Sequence, residues 1–98
     1  MLIATVAKGS EINGTNLKGY ITATYAELVK ELGEPTRTDL DKVTVEWAFK
    51  TREGVVFTIY DYKCYGTPKN QYDWHIGGHD VAAVEVVHNL FPNHKVTR

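Results

Sequence analysis

The sequence predicts an α+β fold: an antiparallel sheet of three to four strands with two helices packed on one face. Three observations predict it. The stretch "TATYAELVKELGEP" carries helical spacing between a start signal and a stop signal, and "VTVEWAFKTREGVVFTIYDY" alternates with period two about a turn. Near the end, "DVAAVEVVHNLF" returns to helical spacing and runs into a proline. A helix, a hairpin and a second helix in that order fit helices segregated to one side of an antiparallel sheet.

Taken in order, Met1 to Ala7 is apolar and β-tolerant and reads as a short strand. The following "KGSEINGTNLKG" is rich in Gly, Asn and Ser and reads as a loop, so residues 1–15 are expected to be a peripheral strand and a mobile loop. Thr24 and Glu27 have the spacing of a capping box, in which hydroxyl and carboxylate reciprocally satisfy free N–H groups at a helix start. Tyr25, Leu28, Val29 and Leu32 then form one apolar stripe, Gly33 is a natural C-terminal cap, and Pro35 prevents continuation. The polar "EPTRTDLDK" reads as a connection.

From Val43 the period changes. Val43, Val45, Trp47 and Phe49 alternate with Thr44, Glu46, Ala48 and Lys50, "TREG" supplies a turn, and "VVFTIYDY" resumes the β pattern. After the loop-like "KCYGTPKNQ", the segment "YDWHI" reads as a third strand with Tyr72, Trp74 and Ile76 on one face. A tight turn at Gly77-Gly78 is expected to lead into a helix from Asp80 to about Phe91, and "NHKVTR" reads as a tail or a last edge strand.

Composition narrows the function classes. With 98 residues, 43% hydrophobic and 23% charged, the chain is expected to form a single compact domain over 1–98. A domain of this size buries roughly two-thirds of its unfolded surface, and assembly as a homo-oligomer would add to that. A net charge of -1 supplies no field for an extended nucleic acid or an anionic membrane, though a local donor cluster could still hold a small anion. The lone Cys64 forms no internal disulfide, the first residues lack a signal-peptide pattern, and no apolar run approaches a membrane span, so a cytoplasmic, soluble protein is expected.

The densest chemistry lies in "DWHIGGHDVAAVEVV". A helix tip offers unpaired N–H groups at the positive end of its dipole, and glycines give an anion access to them. On this reading Gly77 and Gly78 open the tip, His75 and His79 donate to phosphate oxygens, and Trp74 stacks on a base. The bland alternative is that the glycines only turn a corner and that the Asp80 carboxylate fills the tip itself. Tyr60 and Tyr62 share a face opposite Phe57, so one side of the sheet is expected to be wet. Lys63, Tyr65, Tyr72 and Lys69 would extend that region, although tyrosines also pack at sheet margins with only their hydroxyls in water.

Other chemistries are less well supported. His75 and His79 straddle the glycines without the helical spacing that prearranges metal ligands, so neither a metal nor a cofactor is expected. Nothing around Cys64 identifies a base, and Asp61, Asp73 and Asp80 form no recognisable acid/base pair, which leaves no catalytic residues to name.

The segments "NLKGYITATYAELVKELGEPT", "VTVEWAFKTREGVVFTIYDYK" and "WHIGGHDVAAVEVV" together resemble a family of small bacteriophage and prophage proteins, with "IYDYK" and "WHIGG" the most specific part. The resemblance runs from about Asn16 to Leu90. It implies a setting in the cytoplasm of an infected bacterium and a counter-defence role exerted by binding. It carries over no catalytic residue.

Three functions follow as expectations. The first is a non-enzymatic sponge for a nucleotide signalling molecule, with Trp74, His75, Gly77, Gly78, His79, Tyr60, Tyr62, Lys63 and Tyr65 around the ligand. The second is an inhibitor that covers a host defence or metabolic protein with its aromatic sheet face. The third, least favoured, is a nucleotide-acting enzyme using His75 or His79 as general acid/base.

Overall fold

Hydrophobic alternation in the central hairpin builds the first two strands of an antiparallel sheet, and the rest of the chain adds to both sides of it. A computed structural model describes residues 4–98. In chain order the elements are β1 (Ala4–Val6), α1 (Gly9–Ile12), β2 (Asn16–Ala23), α2 (Tyr25–Leu32) and β3 (Arg37–Leu40). They continue with β4 (Val43–Thr51), β5 (Val56–Tyr60), β6 (Tyr72–Gly78), α3 (Ala82–Leu90) and β7 (Lys95–Thr97). The strand order is β1-β4-β5-β6-β2-β7, with β3 also on β4, and every pairing is antiparallel. β1 pairs residues 49–51 of β4 and β3 pairs residues 43–46, so the two share one edge.

The local signals form where they are expected. Glu27 N–H donates to Thr24 Oγ1 (3.2 Å) and Thr24 N–H donates to Glu27 Oε1 (2.8 Å), which closes the capping box of α2. Gly33 ends that helix at a φ of 82°, a conformation that favours glycine. Phe49 faces Phe57 and Trp47 faces Ile59 across the hairpin. Their side of the sheet, joined by Ile21, Trp74 and Ile76, packs against Leu28 and Leu32 of α2 and Ala83, Val84 and Val87 of α3. Each of the Val, Leu, Ile and Phe side chains among them, fully buried, contributes about 1.5–3 kcal/mol. Two tryptophans meet edge to face at the centre (5.6 Å, 81°), and their indole N–H groups donate to Gly33 O (2.8 Å) and Ala23 O (2.9 Å).

The sheet is wider than three to four strands: seven are present among the described residues. The added ones come from segments that read as polar. β2 occupies the end of "KGSEINGTNLKG" and the "YITA" after it, β3 lies inside "EPTRTDLDK", and "HKVTR" takes the edge-strand alternative of its two readings as β7. β2 and β7 find their partners far along the chain, whereas β3 turns straight back onto β4 across Asp41 and Lys42, a hairpin that its polar letters mask.

Of the expected strand over 1–7, Ala4–Val6 is β1 and residues 1–3 lie outside the described residues. The loop that follows is pinned rather than loose. Ala7 N–H donates to Ala48 O (3.0 Å), Lys50 Nζ pairs with Glu11 Oε2 (2.8 Å), and Ile12 packs on a small cluster of Ala7, Ala48 and Val56. That cluster lies on the side of the sheet opposite α2 and α3, so α1 covers part of the face the alternation leaves to water.

Candidate binding face

Period two places every second residue of the strands on the side away from α2 and α3, and the register aligns them into a row. Tyr20 of β2 faces His75 of β6, His75 faces Tyr60 of β5, Tyr60 faces Glu46 of β4, and Glu46 faces Arg37 of β3. One ladder of side chains thus crosses five strands, aromatic at one end and ionic at the other. Arg37 Nε meets Glu46 Oε1 at 2.7 Å.

His75 is the hub of the aromatic end. Tyr60 stacks on it (5.3 Å, 27°), Tyr20 meets it nearer edge-on (5.1 Å, 60°), and Tyr62 tilts against it (5.6 Å, 52°). Its Nδ1 is buried with no hydrogen-bond partner. Burial pushes the imidazole pKa below its ordinary 6.5, opposed by the nearby Asp61 carboxylate, so the ring is neutral at pH 7. Burial raises the Tyr60 hydroxyl, and the charge of Glu46 raises it further.

Asp61 explains how two tyrosines of one chain segment reach the same histidine. Fully buried, its carboxylate accepts from Thr44 N (2.8 Å), Thr44 Oγ1 (2.7 Å) and Val45 N (3.2 Å), which ties the end of β5 to the start of β4. Tyr60 and Tyr62 flank that anchor, and Tyr62 N–H donates to the Tyr72 hydroxyl (3.2 Å). The Tyr72 hydroxyl, pushed up to about 12 chiefly by burial, lies 3.6 Å from the Cys64 thiol. Lys63 follows with a φ of 55° and holds Nζ 5.3 Å from the centre of the Tyr62 ring.

The expected site divides along these lines. Tyr60, Tyr62 and His75 come together, Lys63 joins them through Tyr62, and Gly77 lies on the same face. Trp74 is corrected: it faces the core, entirely buried with its N–H taken, because neighbouring residues in a strand point to opposite sides. Tyr65 is fully exposed on the loop after β5, outside the ring contacts of His75. His79 lies past the end of β6, with Nε2 2.8 Å from Glu11 O. Lys69 belongs to the helical side, 3.8 Å over the ring of Tyr25, and Tyr72 packs edge-on against Trp74 there.

Gly77 and Gly78 are likewise corrected, from turn residues to the last two residues of β6, paired with β5 on one side and β2 on the other. Close approach is what requires glycine. A Cβ on Gly77 would collide with Thr58 Oγ1 and crowd the Tyr60 ring (3.3 Å), and one on Gly78 would collide with Ala83 of α3. The turn falls at residues 79–81, and there Asp80 Oδ1 accepts from Ala82 N–H (2.7 Å). The carboxylate thereby meets the first N–H of α3, and the carbonyls of Asp80 and Val81 accept from Ala83 and Val84.

Tyr20 is the member that sequence reasoning missed. Its signal is the alternation of Tyr20 and Thr22 with Ile21 and Ala23, overshadowed by the Gly- and Asn-rich run before it. Among the described residues no three His, Cys, Asp or Glu side chains gather as metal ligands, and no helix is long and apolar enough to cross a membrane. A cleft of about 500 Å³ lies beside α1, lined by Gly9, Ser10, Ile12, Asn13, Gly14 and Arg37 and so next to the ionic end of the ladder. No family model matches the chain, and neither the curated proteins nor the solved structures contain a match.

Proposed function

We propose that this is a non-enzymatic binding protein that engages a partner protein through the ring cluster of Tyr20, Tyr60, Tyr62 and His75. The observation that carries the reading is the convergence of four partly accessible rings, three from the adjacent strands β2, β6 and β5 and Tyr62 from just beyond β5, on the side of the sheet away from α2 and α3. Tyrosine presents a large, stiff, amphipathic surface and is enriched among residues that dominate protein interfaces. The cluster rests on a rigid sheet, so little ordering is needed on association.

Capture of a nucleotide at the Gly-Gly segment ranks second on this geometry. Asp80 supplies the helix tip with its own carboxylate, and Trp74 has no free face to stack on a base. The phage setting, the counter-defence role and the bacterial cytoplasm rest on the sequence resemblance, which fits a host protein as the partner as well as it fits a nucleotide.

A photo-reactive residue at position 62 tests the reading in a bacterial host lysate. A single stoichiometric cross-linked protein is expected, with affinity falling at least tenfold in Tyr20→Ala and in Tyr60→Ala, the scale of an interface hot spot. Capture unaffected by either change, or a stoichiometric nucleotide released when the pure protein is heated, would overturn it.

A further inference from the structure

The N-terminal segment carries a reactive pair that the ring cluster does not use. Asn13 and Gly14 follow α1, both exposed, and line the cleft beside Arg37. Asn13 N–H donates to Gly9 O (3.0 Å) and Thr15 N–H to Ile12 O (3.0 Å). Between them, the Gly14 N–H and the Asn13 carboxamide have no hydrogen-bond partner among the described residues. Gly14 stands at a φ of 88° and has no Cβ to screen its nitrogen.

We propose that Asn13 is a site of spontaneous deamidation. The Gly14 backbone nitrogen attacks Cγ of Asn13: a C–N bond forms, the Cγ–Nδ2 bond breaks, and the Gly14 amide proton leaves with the side-chain nitrogen as ammonia. Water then adds to one of the two carbonyls of the five-membered imide. Opening at Cγ leaves aspartate, and opening at the main-chain carbonyl leaves isoaspartate, in which the chain runs through the side chain. The other asparagines lack the combination of a free amide and an unscreened nitrogen. Leu17 after Asn16 lies within β2, Leu90 after Asn89 lies within α3, and His94 N–H after Asn93 donates to Phe91 O (3.1 Å). Asn70 is exposed, but the Cβ of Gln71 shields the nitrogen that would attack.

At the Asn13 ψ of 130° the Gly14 nitrogen is turned away from Cγ, so attack waits on rotation about that Cα–C bond and the attachments of α1 govern the rate. Isoaspartate adds one carbon to the main chain at a point close to His79, whose Nε2 lies 2.8 Å from Glu11 O. The modification thus loosens the hold on α1 and sets a carboxylate in the cleft that Arg37 lines.

Incubation of the full chain at about pH 8 and 37 °C, followed by tryptic digestion and mass spectrometry of peptide 9–18, tests this, fragmentation separating position 13 from position 16. Conversion of Asn13 to aspartate and isoaspartate is expected to run about tenfold ahead of every other asparagine, because glycine alone leaves the attacking nitrogen uncrowded. It should vanish at position 13 in Asn13→Gln, whose longer side chain disfavours the five-membered ring, and rise several-fold in Ile12→Asp, which frees α1. Hydrogen exchange of the aged protein should show the Ala7 amide less protected and the amides pairing β2 with β6 unchanged. Asn70 keeping pace with Asn13, or Asn13 intact after a free peptide of residues 9–18 has fully reacted, would overturn the proposal.

Discussion

At the residue scale, Asp61 and His75 show how one buried charge and one neutral ring share a small volume. Asp61 satisfies two backbone N–H groups and a hydroxyl, and its replacement by alanine would leave both amides without that acceptor, while the Thr44 hydroxyl keeps Thr67 Oγ1 at 2.8 Å. The expected loss is about 2–4 kcal/mol, read as a lower urea midpoint, with Asp61→Asn intermediate because one of its two acceptor oxygens survives. For His75 the sign follows from its lowered pKa. Between about pH 6.5 and the depressed native value the unfolded chain binds more protons than the folded one, so stability falls as pH drops through that window. A steeper decline from pH 7 to pH 5 is therefore expected for the native chain than for His75→Gln, measured by urea unfolding. Equal slopes would show that burial does not hold this ring neutral. Neither role is readable from a string of letters, since Asp61 resembles any loop aspartate until the end of β5 folds over β4.

At the element scale, what was legible depended on where each element finds its hydrogen bonds. Helix α2 states its own start, face and end within a dozen residues, and the β4–β5 hairpin states its turn and alternation, so both appear in the sequence as they do in the fold. Strand β2 takes its partners from β6 and β7, far along the chain, while β3 pairs with β4 just after it but carries mostly polar, exposed residues and so shows no apolar alternation. The same logic misassigned the glycines: Gly77-Gly78 looks like a turn locally, but its neighbours across the sheet and under α3 are what demand the missing side chain. Gly78→Ala is accordingly expected to push α3 off the sheet at a cost of about 1–3 kcal/mol, the range of overpacked cores. Asp80→Ala should cost nearer 1 kcal/mol, the value of a lost helix-tip acceptor. Thermal melting of the two variants checks the order, and a larger effect at Asp80 would mean that helix initiation rather than seating limits α3.

At the scale of the whole molecule, the sheet is closed by α2 and α3 on one side and half closed on the other, and that asymmetry determines which part of the sheet stays accessible. The covering is contributed by residues 4–15, whose attachments are few: β1 on the β4 edge, one backbone bond from Ala7, the Glu11–Lys50 pair, His79 against Glu11 O and the apolar seat of Ile12. An exposed ion pair of this kind contributes little because water screens it, so the apolar seat carries most of the attachment. Ile12→Asp should release the segment without unfolding the sheet. Hydrogen exchange reads the difference: the Ala7 amide, bonded to Ala48 O, should lose protection, while the amides pairing β2 with β6 keep theirs because the Trp47 and Trp74 core lies on the far side. The ring cluster should likewise survive, since its register is set by β2, β5 and β6. Simultaneous loss of protection at both places would mean that the two sides of the sheet fold as one unit, and that the N-terminal segment supports the ring face instead of merely bordering it.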